Sequence, residues 1–213
     1  MYCPKCECDF VGWEGKCPVD GTLLVELNPI PDKPVHQSVP YEAISNLIRK
    51  NGGLYEAELR TTEVGREKKM SFPWRGYGFA WARKMKGNID GIDIDLRIDE
   101  IGKNTDWGFP YQGYGFAWER RMRGWIGGHE IVLKATKIAH EKKLLFPFRG
   151  RGYSWAEELT GNCGKLIQAD MKTIEVGRDK NCGFLYFGFG YAWISRATLK
   201  LSLADQQITE MKK

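Results

Sequence analysis

Cysteine residues near the start of the chain have the spacing of a metal site. Residues 3–6 read CPKC and residues 17–20 read CPVD, with ten residues between Cys6 and Cys17. Two knuckles of this kind place four ligands around a tetrahedral zinc ion in structural zinc sites. The sequence therefore predicts a structural Zn²⁺ held by Cys3, Cys6 and Cys17, with either Asp20 or Cys8 as the fourth ligand.

The choice of fourth ligand stays open at this point. The spacing of the second knuckle favours Asp20, whereas the preference of zinc for soft thiolates favours Cys8. The first 25 residues or so resemble the short zinc ribbons found at the start of cytosolic bacterial and archaeal proteins, whose second knuckle usually reads CPxCG. The resemblance implies a small module, placed at residues 1–26, in which the metal replaces a hydrophobic core that so few residues cannot build.

Other residues of catalytic type do not form a recognisable active site. The three histidines, His36, His129 and His140, stand in a proline-rich stretch, near a predicted turn and in a degenerate repeat. No Ser-His-Asp, paired-carboxylate or second metal motif recurs in the chain. Cys163 and Cys182 lie far apart, and in a reducing compartment we expect unpaired thiols. The sequence therefore predicts a protein that is not an enzyme.

Composition favours a cytoplasmic protein with a β-rich fold. Of 213 residues, 42% are hydrophobic, 28% are charged and 13% are aromatic, and 25 are glycine. No run approaches the roughly 18 apolar residues that cross a bilayer. The residues after Met1 also lack the apolar run of a secretory signal. Abundant aromatic and glycine residues are typical of strands joined by tight turns.

One phrase is written four times in the second part of the chain. Its copies are FPWRGYGFAW, FPYQGYGFAW, FPFRGRGYSW and FLYFGFGYAW, at residues 72–81, 109–118, 146–155 and 184–193. The tryptophans that end them are 37, 37 and 38 residues apart. A fixed period of this length indicates repeated supersecondary units that are stable only together.

Residue alternation predicts that each unit contains two long strands. Ile92, Ile94 and Leu96 alternate with charged residues, which is the pattern of a strand with one buried face. In the repeated phrase, large side chains share one face and small ones the other, namely Tyr77, Phe79, Trp81 and Met85 against Gly78, Ala80 and Ala82. We expect the two strands to be connected near a second phrase, which reads EVGR at 63–66, EIGK at 100–103, KIAH at 137–140 and EVGR at 175–178.

Four hairpins give about eight strands, the number at which side chains just fill a closed barrel. A mainly β, pseudo-four-fold, closed antiparallel barrel is the predicted fold, and a four-bladed propeller is the alternative. The predicted β domain spans 53–203, with units at 54–90, 91–127, 128–164 and 165–203, and a polar tail follows at 204–213.

A linker and one short helix precede the repeats. Four prolines between residues 27 and 40 predict a semi-rigid linker. Ile44, Leu47 and Ile48 then share one helical face, so we expect a short amphipathic helix over 41–52. This helix is expected to cap an open end of the β domain.

Basic residues cluster where the first two glycine-rich strands end. Residues 54–201 hold 25 basic and 18 acidic residues, so this part carries a net charge of +7, whereas the whole chain carries +5. Aromatic residues leading into arginines and lysines are typical of nucleic-acid binding, although solvated strand ends have the same composition. The candidate binding residues are Arg83, Lys84, Lys86, Arg120, Arg121 and Arg123.

The repeated aromatic residues have two interpretations. They either fill the core of the barrel or form a stacking surface for nucleic-acid bases or sugar rings. Arg151 stands where the other copies have Tyr77, Tyr114 and Phe189. Because arginine is rarely buried, we expect this position to lie at an accessible rim, and Arg151 joins the candidate binding residues.

These observations predict a non-catalytic binding or scaffold protein. The leading hypothesis is an adaptor associated with nucleic acid or ribonucleoprotein. A protein–protein assembly module is the alternative, and a glycan-binding repeat protein is the third. The combination of a zinc ribbon with tandem GYGFAW units also resembles uncharacterised proteins of that layout, which implies the domain arrangement and no activity.

Overall fold

The fold was taken from a computed structural model that describes residues 39–71, 75–108, 112–145, 149–182 and 188–204. Its elements are one helix, α1, and eight strands, β1 to β8. Their bounds are α1 Tyr41–Lys50, β1 Leu54–Ser71, β2 Arg75–Ile89, β3 Ile92–Gly108, β4 Gln112–Ile126, β5 His129–Leu145, β6 Arg149–Cys163, β7 Ile167–Cys182 and β8 Gly188–Leu203. Each strand pairs with the next and β8 pairs with β1, which closes the barrel. The predicted closed antiparallel barrel is confirmed, and the propeller alternative is wrong.

Pairing within a hairpin is much longer than pairing between hairpins. Strands β3 and β4 pair from Ile94 opposite Ile126 to Gly108 opposite Gln112. Strands β2 and β3, from different hairpins, pair only between Lys84 opposite Arg97 and the turn at Asp90. Each hairpin therefore has a half that belongs to the barrel and a half that extends beyond it.

A β-bulge separates the two halves of every hairpin. In the second hairpin the register shifts between Ile98, Glu100 and Ile101, and the other three hairpins shift at the equivalent positions. We call the part beyond the bulge the arm. The four arms are 64–71 with 75–82, 101–108 with 112–119, 138–145 with 149–156, and 176–182 with 188–194.

The bulge explains two wrong expectations from the sequence. The chain does not turn near the EVGR phrases, because β1 runs through 63–66 to Ser71. Met85 does not share a face with Trp81, because Met85 and Ala82 both belong to the core of the barrel half, and Trp81 belongs to a separate ring cluster. A bulge changes the direction of a strand and the face of its side chains without ending the strand.

The barrel half has an apolar interior. Leu59, Met85, Leu96, Met122 and Leu133 are each 0% exposed and belong to one core cluster. Alternation in β3 correctly places Leu96 inside. The interior is filled by side chains, as expected for eight strands.

The predicted short helix is confirmed, and it covers the barrel end opposite the arms. Ile44 and Ile48 of α1 are 1% exposed and join the core cluster. The Tyr41 hydroxyl donates to the carbonyl of Cys163 at 2.7 Å and accepts from the backbone N–H of Leu166 at 3.1 Å. The helix is thus fixed to a turn at this end of the barrel.

Several predictions concern residues outside the described ranges. The zinc ribbon at 1–26, with Cys3, Cys6, Cys8, Cys17 and Asp20, lies entirely outside them. So do the linker up to residue 38 and the tail from residue 205.

Candidate functional site

The aromatic rings of each arm lie on the glycines of the next arm. A Cβ atom on Gly113 would lie 2.9 Å from the ring of Tyr77, and one on Gly150 would lie 2.8 Å from the ring of Tyr114. The contact repeats from the third arm to the fourth and from the fourth to the first, where Gly78 meets Tyr191 at 2.9 Å. Glycine at these positions leaves space for the aromatic side chains to pack. Because each arm contacts the next and the fourth contacts the first, the four arms close into a circle.

This packing decides between the two interpretations of the aromatic residues. Tyr77, Phe79, Phe116 and Tyr191 are 3%, 2%, 3% and 2% exposed, and Trp81 is 0% exposed. These rings are core residues, and the stacking-surface interpretation is wrong for them.

Arg151 does not lie at an accessible rim. It is 6% exposed, and its Cβ lies 3.0 Å from the position that a Cβ on Gly190 would take. Arg151 therefore packs on the next arm in the place that tyrosine or phenylalanine takes in the other copies. The expectation that this side chain is accessible is wrong, because the polar side chain follows the packing of its aromatic counterparts.

The basic residue of the EVGR phrase lies over the rings of the preceding hairpin. Lys103 Nζ is 5.6 Å from the ring centroid of Phe79 and 5.3 Å from that of Trp81. Arg178 and Arg66 lie over the equivalent rings of the third and fourth hairpins, at 5.4 Å from Trp155 and Trp193. These are cation–π contacts, which stabilise most where the cation is partly removed from water.

The same basic residues form ion pairs between neighbouring arms. Lys103 pairs with Glu67, and Arg66 with Asp179 at 3.5 Å. At the junction of the second and third arms, the ring of His140 lies edge-on to that of Phe116, with 5.2 Å between the centroids. Asn104 occupies the position equivalent to Glu67. At this junction an imidazole and an amide thus take the places of the basic side chain and the carboxylate.

The predicted binding residues at 83–86 and 120–123 are largely engaged in ion pairs of the barrel half. Lys84 pairs with Asp95 at 3.4 Å, and Arg120 with Glu100 at 2.8 Å. Arg123 lies 3.6 Å from Glu130. Lys86 is exposed, and Arg83 is half-buried and also engaged in an interaction. The acids on the neighbouring strands offset the positive charge that the sequence cluster suggests.

A charge reversal in the third hairpin supports a structural role for these pairs. Glu100 lies opposite Arg121 across the second bulge, whereas Lys137 lies opposite Glu158 across the third. Lys137 also pairs with Glu157 at 2.8 Å, and this contact raises the pKa of Lys137. Opposite charges are kept although their signs are exchanged, as expected for pairs that join two strands.

The net positive charge of the β domain resides in the arms. Residues 64–82, 101–119, 138–156 and 176–194 hold eleven lysines and arginines against five acidic residues, a net charge of +6. The remaining residues of 54–203 hold fourteen against thirteen, a net charge of +1. The surplus of basic residues in the β domain therefore belongs to the arms, at the end opposite the helix.

Five exposed lysines and two exposed apolar side chains lie on the arms. We call this set the arm surface, and it consists of Lys68, Lys69, Trp107, Lys142, Lys143, Leu144 and Lys180. The five lysines are exposed, and Trp107 and Leu144 are 52% and 60% exposed. Trp107 and Leu144 occupy equivalent positions in successive units, so the arm surface combines positive charge with apolar contact area.

Acidic residues on the arms are too few to neutralise this surface. Asp106 pairs with Lys142, and the hydrogen bond from that ammonium lowers the pKa of Asp106 from its ordinary value. Glu141 pairs with Lys143 at 3.3 Å and with Arg178 at 2.9 Å. The arms hold eleven basic residues and five acids, and one of each kind, Arg151 and Glu119, is buried, so the surplus stays positive.

Sequence reasoning missed the arm surface because its lysines are spread over separate units. The lysine pair at positions 68 and 69 recurs at the equivalent positions of the third copy only, as Lys142 and Lys143. The difference in net charge between the arms and the barrel half becomes visible only when each hairpin is divided at its bulge, and the sequence does not reveal where the bulge lies.

A second surface feature lies at the helix end of the barrel. It is a shallow groove of about 720 Å³ whose lining includes Tyr41, His129, Glu130, Lys134 and Lys165. Charges of both signs line it, and His129 Nε2 is 2.8 Å from the carbonyl oxygen of Val39. Its lining has two lysines against one glutamate, a smaller positive charge than that of the five lysines of the arm surface.

No family model, curated protein or solved structure matches the chain. Within the described ranges, no helix has the length and apolar character needed to cross a membrane. The same ranges contain no group of three or more His, Cys, Asp or Glu side chains placed to hold a metal ion.

Proposed function

We propose that the protein is a non-catalytic adaptor and that its arm surface binds single-stranded nucleic acid. The observation that carries this proposal is the concentration of +6 net charge in the arms against +1 in the rest of the β domain. A nucleic-acid backbone is the polyanion that such a surface fits. The proposal moves the binding site away from Arg83–Lys86 and Arg120–Arg123.

The composition of the arm surface also suits a single strand. Lysines neutralise phosphates and make affinity depend steeply on salt. An exposed tryptophan offers an aromatic face on which an unpaired base can stack, a contact that is tolerant of sequence. Trp107 is 52% exposed on the second arm, and the exposed lysines belong to the first, third and fourth arms, which supports its use in this way.

Binding of a fluorescent single-stranded oligonucleotide at two salt concentrations tests the proposal. We expect binding at about 50 mM salt that weakens roughly 100-fold at about 200 mM, as for a site with about five phosphate contacts. Exchange of Lys68, Lys69, Lys142 and Lys143 for glutamine should weaken binding at low salt by tenfold or more. No binding at low salt would end the nucleic-acid proposal.

A matched control has the same change of charge on the barrel half. Lys134, Lys165, Lys172 and Lys200 are exposed lysines there, and their exchange for glutamine should leave affinity within about twofold. Equal losses in the two quadruple variants would show that net charge, and not the arm surface, governs binding.

Protein–protein assembly is a second candidate, favoured by the exposure of Trp107 and Leu144. Large apolar side chains that are exposed to solvent are typical of surfaces that contact a partner. An acidic polypeptide would fit the charge of the arms. Co-purification that is lost in a Trp107→Ala, Leu144→Ala variant, in a protein that fails to bind oligonucleotide, would favour this alternative.

We also propose that Cys3, Cys6 and Cys17 hold a structural zinc ion with either Asp20 or Cys8. The knuckle spacing supports it. Metal analysis of the purified protein should give one zinc per chain. Loss of zinc in Cys8→Ser but not in Asp20→Asn would assign Cys8 as the fourth ligand, the reverse result would assign Asp20, and a metal-free chain would refute the site.

A further inference from the structure

One ionisable side chain lies in the interior at the base of the arms. The residue after each repeat tryptophan is Ala82, Glu119, Ala156 or Ile194, and all four are 0% exposed. Three copies have apolar side chains at this position and one has a carboxylate. Burial of a carboxylate without partners is costly, so its surroundings must supply hydrogen bonds.

The partners of Glu119 are the equivalent backbone positions of the other three copies. Its Oε1 accepts from the N–H of Ala82 at 2.5 Å and from the N–H of Ile194 at 3.4 Å. Its Oε2 accepts from the N–H of Ala156 at 3.2 Å. Three symmetry-related donors therefore converge on one carboxylate.

The end of sheet pairing explains why these N–H groups are available. Pairing between β2 and β3 ends at Lys84, two residues after Ala82. A backbone N–H beyond that point has no neighbouring strand to donate to on that side, and a buried donor needs an acceptor. The apolar side chains at 82, 156 and 194 offer no acceptor of their own, so one carboxylate serves the donors of the other three copies.

We propose that the base of the arms is a carboxylate-binding site built from backbone N–H groups, and that Glu119 is its resident ligand. The four copies make the site together, and only one can fill it, because two carboxylates at one place would repel each other. Burial raises the pKa of Glu119, and the backbone N–H groups of Ala82, of Glu119 itself, of Ala156 and of Ile194 oppose that shift. The donors therefore hold the carboxylate against the cost of burial.

This assignment predicts that a small free carboxylate can replace the side chain. Glu119→Ala removes the atoms of one acetate molecule and leaves the three N–H donors facing a cavity. Acetate should then bind the variant and stabilise it. Thermal unfolding of Glu119→Ala in acetate, compared with chloride at equal ionic strength and neutral pH, should show a saturating rise in Tm of about 3 °C or more.

Two comparisons separate a carboxylate site from a simple cavity. Ile194→Ala opens space at the equivalent position but keeps Glu119, so acetate should shift its Tm no more than that of the unaltered protein. Glu119→Gln keeps the shape but places an amide NH₂ against a backbone N–H, and its Tm should fall below that of the unaltered protein.

The possible results are decisive even if Glu119→Ala folds poorly. Recovery of folded Glu119→Ala in acetate but not in chloride would support the site. Equal acetate effects in Glu119→Ala and Ile194→Ala, or no acetate effect in Glu119→Ala, would overturn it. A Glu119→Gln variant as stable as the unaltered protein would also overturn it, and none of these readouts depends on oligonucleotide binding.

Discussion

The ammonium of Lys103 lies 5.3 Å from the ring centroid of Trp81, which belongs to the preceding hairpin. Lys103 also pairs with Glu67 of that hairpin. One side chain thus joins two repeats by two kinds of contact. Because Arg66 and Arg178 do the same at other junctions, the arms are coupled beyond the short strand pairing of the barrel.

Replacement of Lys103 should therefore weaken the fold. We expect Lys103→Gln to lower the free energy of unfolding by about 1 kcal/mol, since it removes a partly buried cation–π contact and an ion pair. Chemical denaturation measures the change. Lys69→Gln removes an exposed arm lysine and should change stability by less than about 0.5 kcal/mol, so equal effects would argue against a special role for Lys103.

The ion pair across the second bulge should tolerate reversal. Glu100→Lys and Arg121→Glu should each lower the free energy of unfolding by roughly 0.5–1 kcal/mol, because like charges then face each other. The double variant exchanges the two signs, as in Lys137 and Glu158 of the third hairpin. It should recover only part of the loss, because Asp99 and Arg120 keep their charges beside the exchanged pair. Additive losses in a double-mutant cycle would contradict a direct pair.

The basic cluster of the second hairpin should have little influence on nucleic-acid binding. Arg121 and Arg123 both lie near Asp99, and Arg120 pairs with Glu100. We expect replacement of the three arginines by alanine to change oligonucleotide affinity at low salt by less than about threefold. A tenfold loss in a variant that remains folded by circular dichroism would return the binding site to this cluster.

The thiol of Cys163 should be unreactive in the folded protein. It is 0% exposed, and burial raises its pKa to about 12. The thiolate is the reactive species, and a raised pKa keeps the thiol protonated at all ordinary pH values. Alkylation by iodoacetamide at mildly alkaline pH, followed by peptide mass spectrometry, should modify Cys163 only after denaturation, and rapid modification in the native protein would contradict this packing.

Sequence patterns predicted the closed barrel because repeats and alternation report on burial directly. The spacing of Trp81, Trp118, Trp155 and Trp193 identified four units, and the alternation of β3 placed Leu96 inside. The bulges were not predictable, since residues such as Thr62 and Ile174 have no common type. Without the bulges, Met85 was assigned to the wrong face and the chain was expected to turn at EVGR.

The candidate site was harder to predict than the fold. Charge clusters in the sequence drew attention to Arg120–Arg123, whose acidic partners come from the neighbouring strands β3 and β5. Arg151 was expected to be exposed because arginine is charged, yet it is buried at the position that its aromatic counterparts occupy in the other copies. Glu119 gave no signal, because its donors are backbone groups of three other units.

Because β8 pairs with β1, each of the eight described strands is paired on both sides in the barrel half, which leaves the barrel half without an edge for another strand. An open array of repeats can gain or lose copies at its ends during evolution. In this closed barrel, a fifth copy would have to separate two paired strands, and its aromatic side chains would need glycines on a neighbouring arm to pack against. The closed barrel therefore disfavours a change in copy number, whereas it accommodates differences between copies, such as His140 and Asn104 at a shared junction.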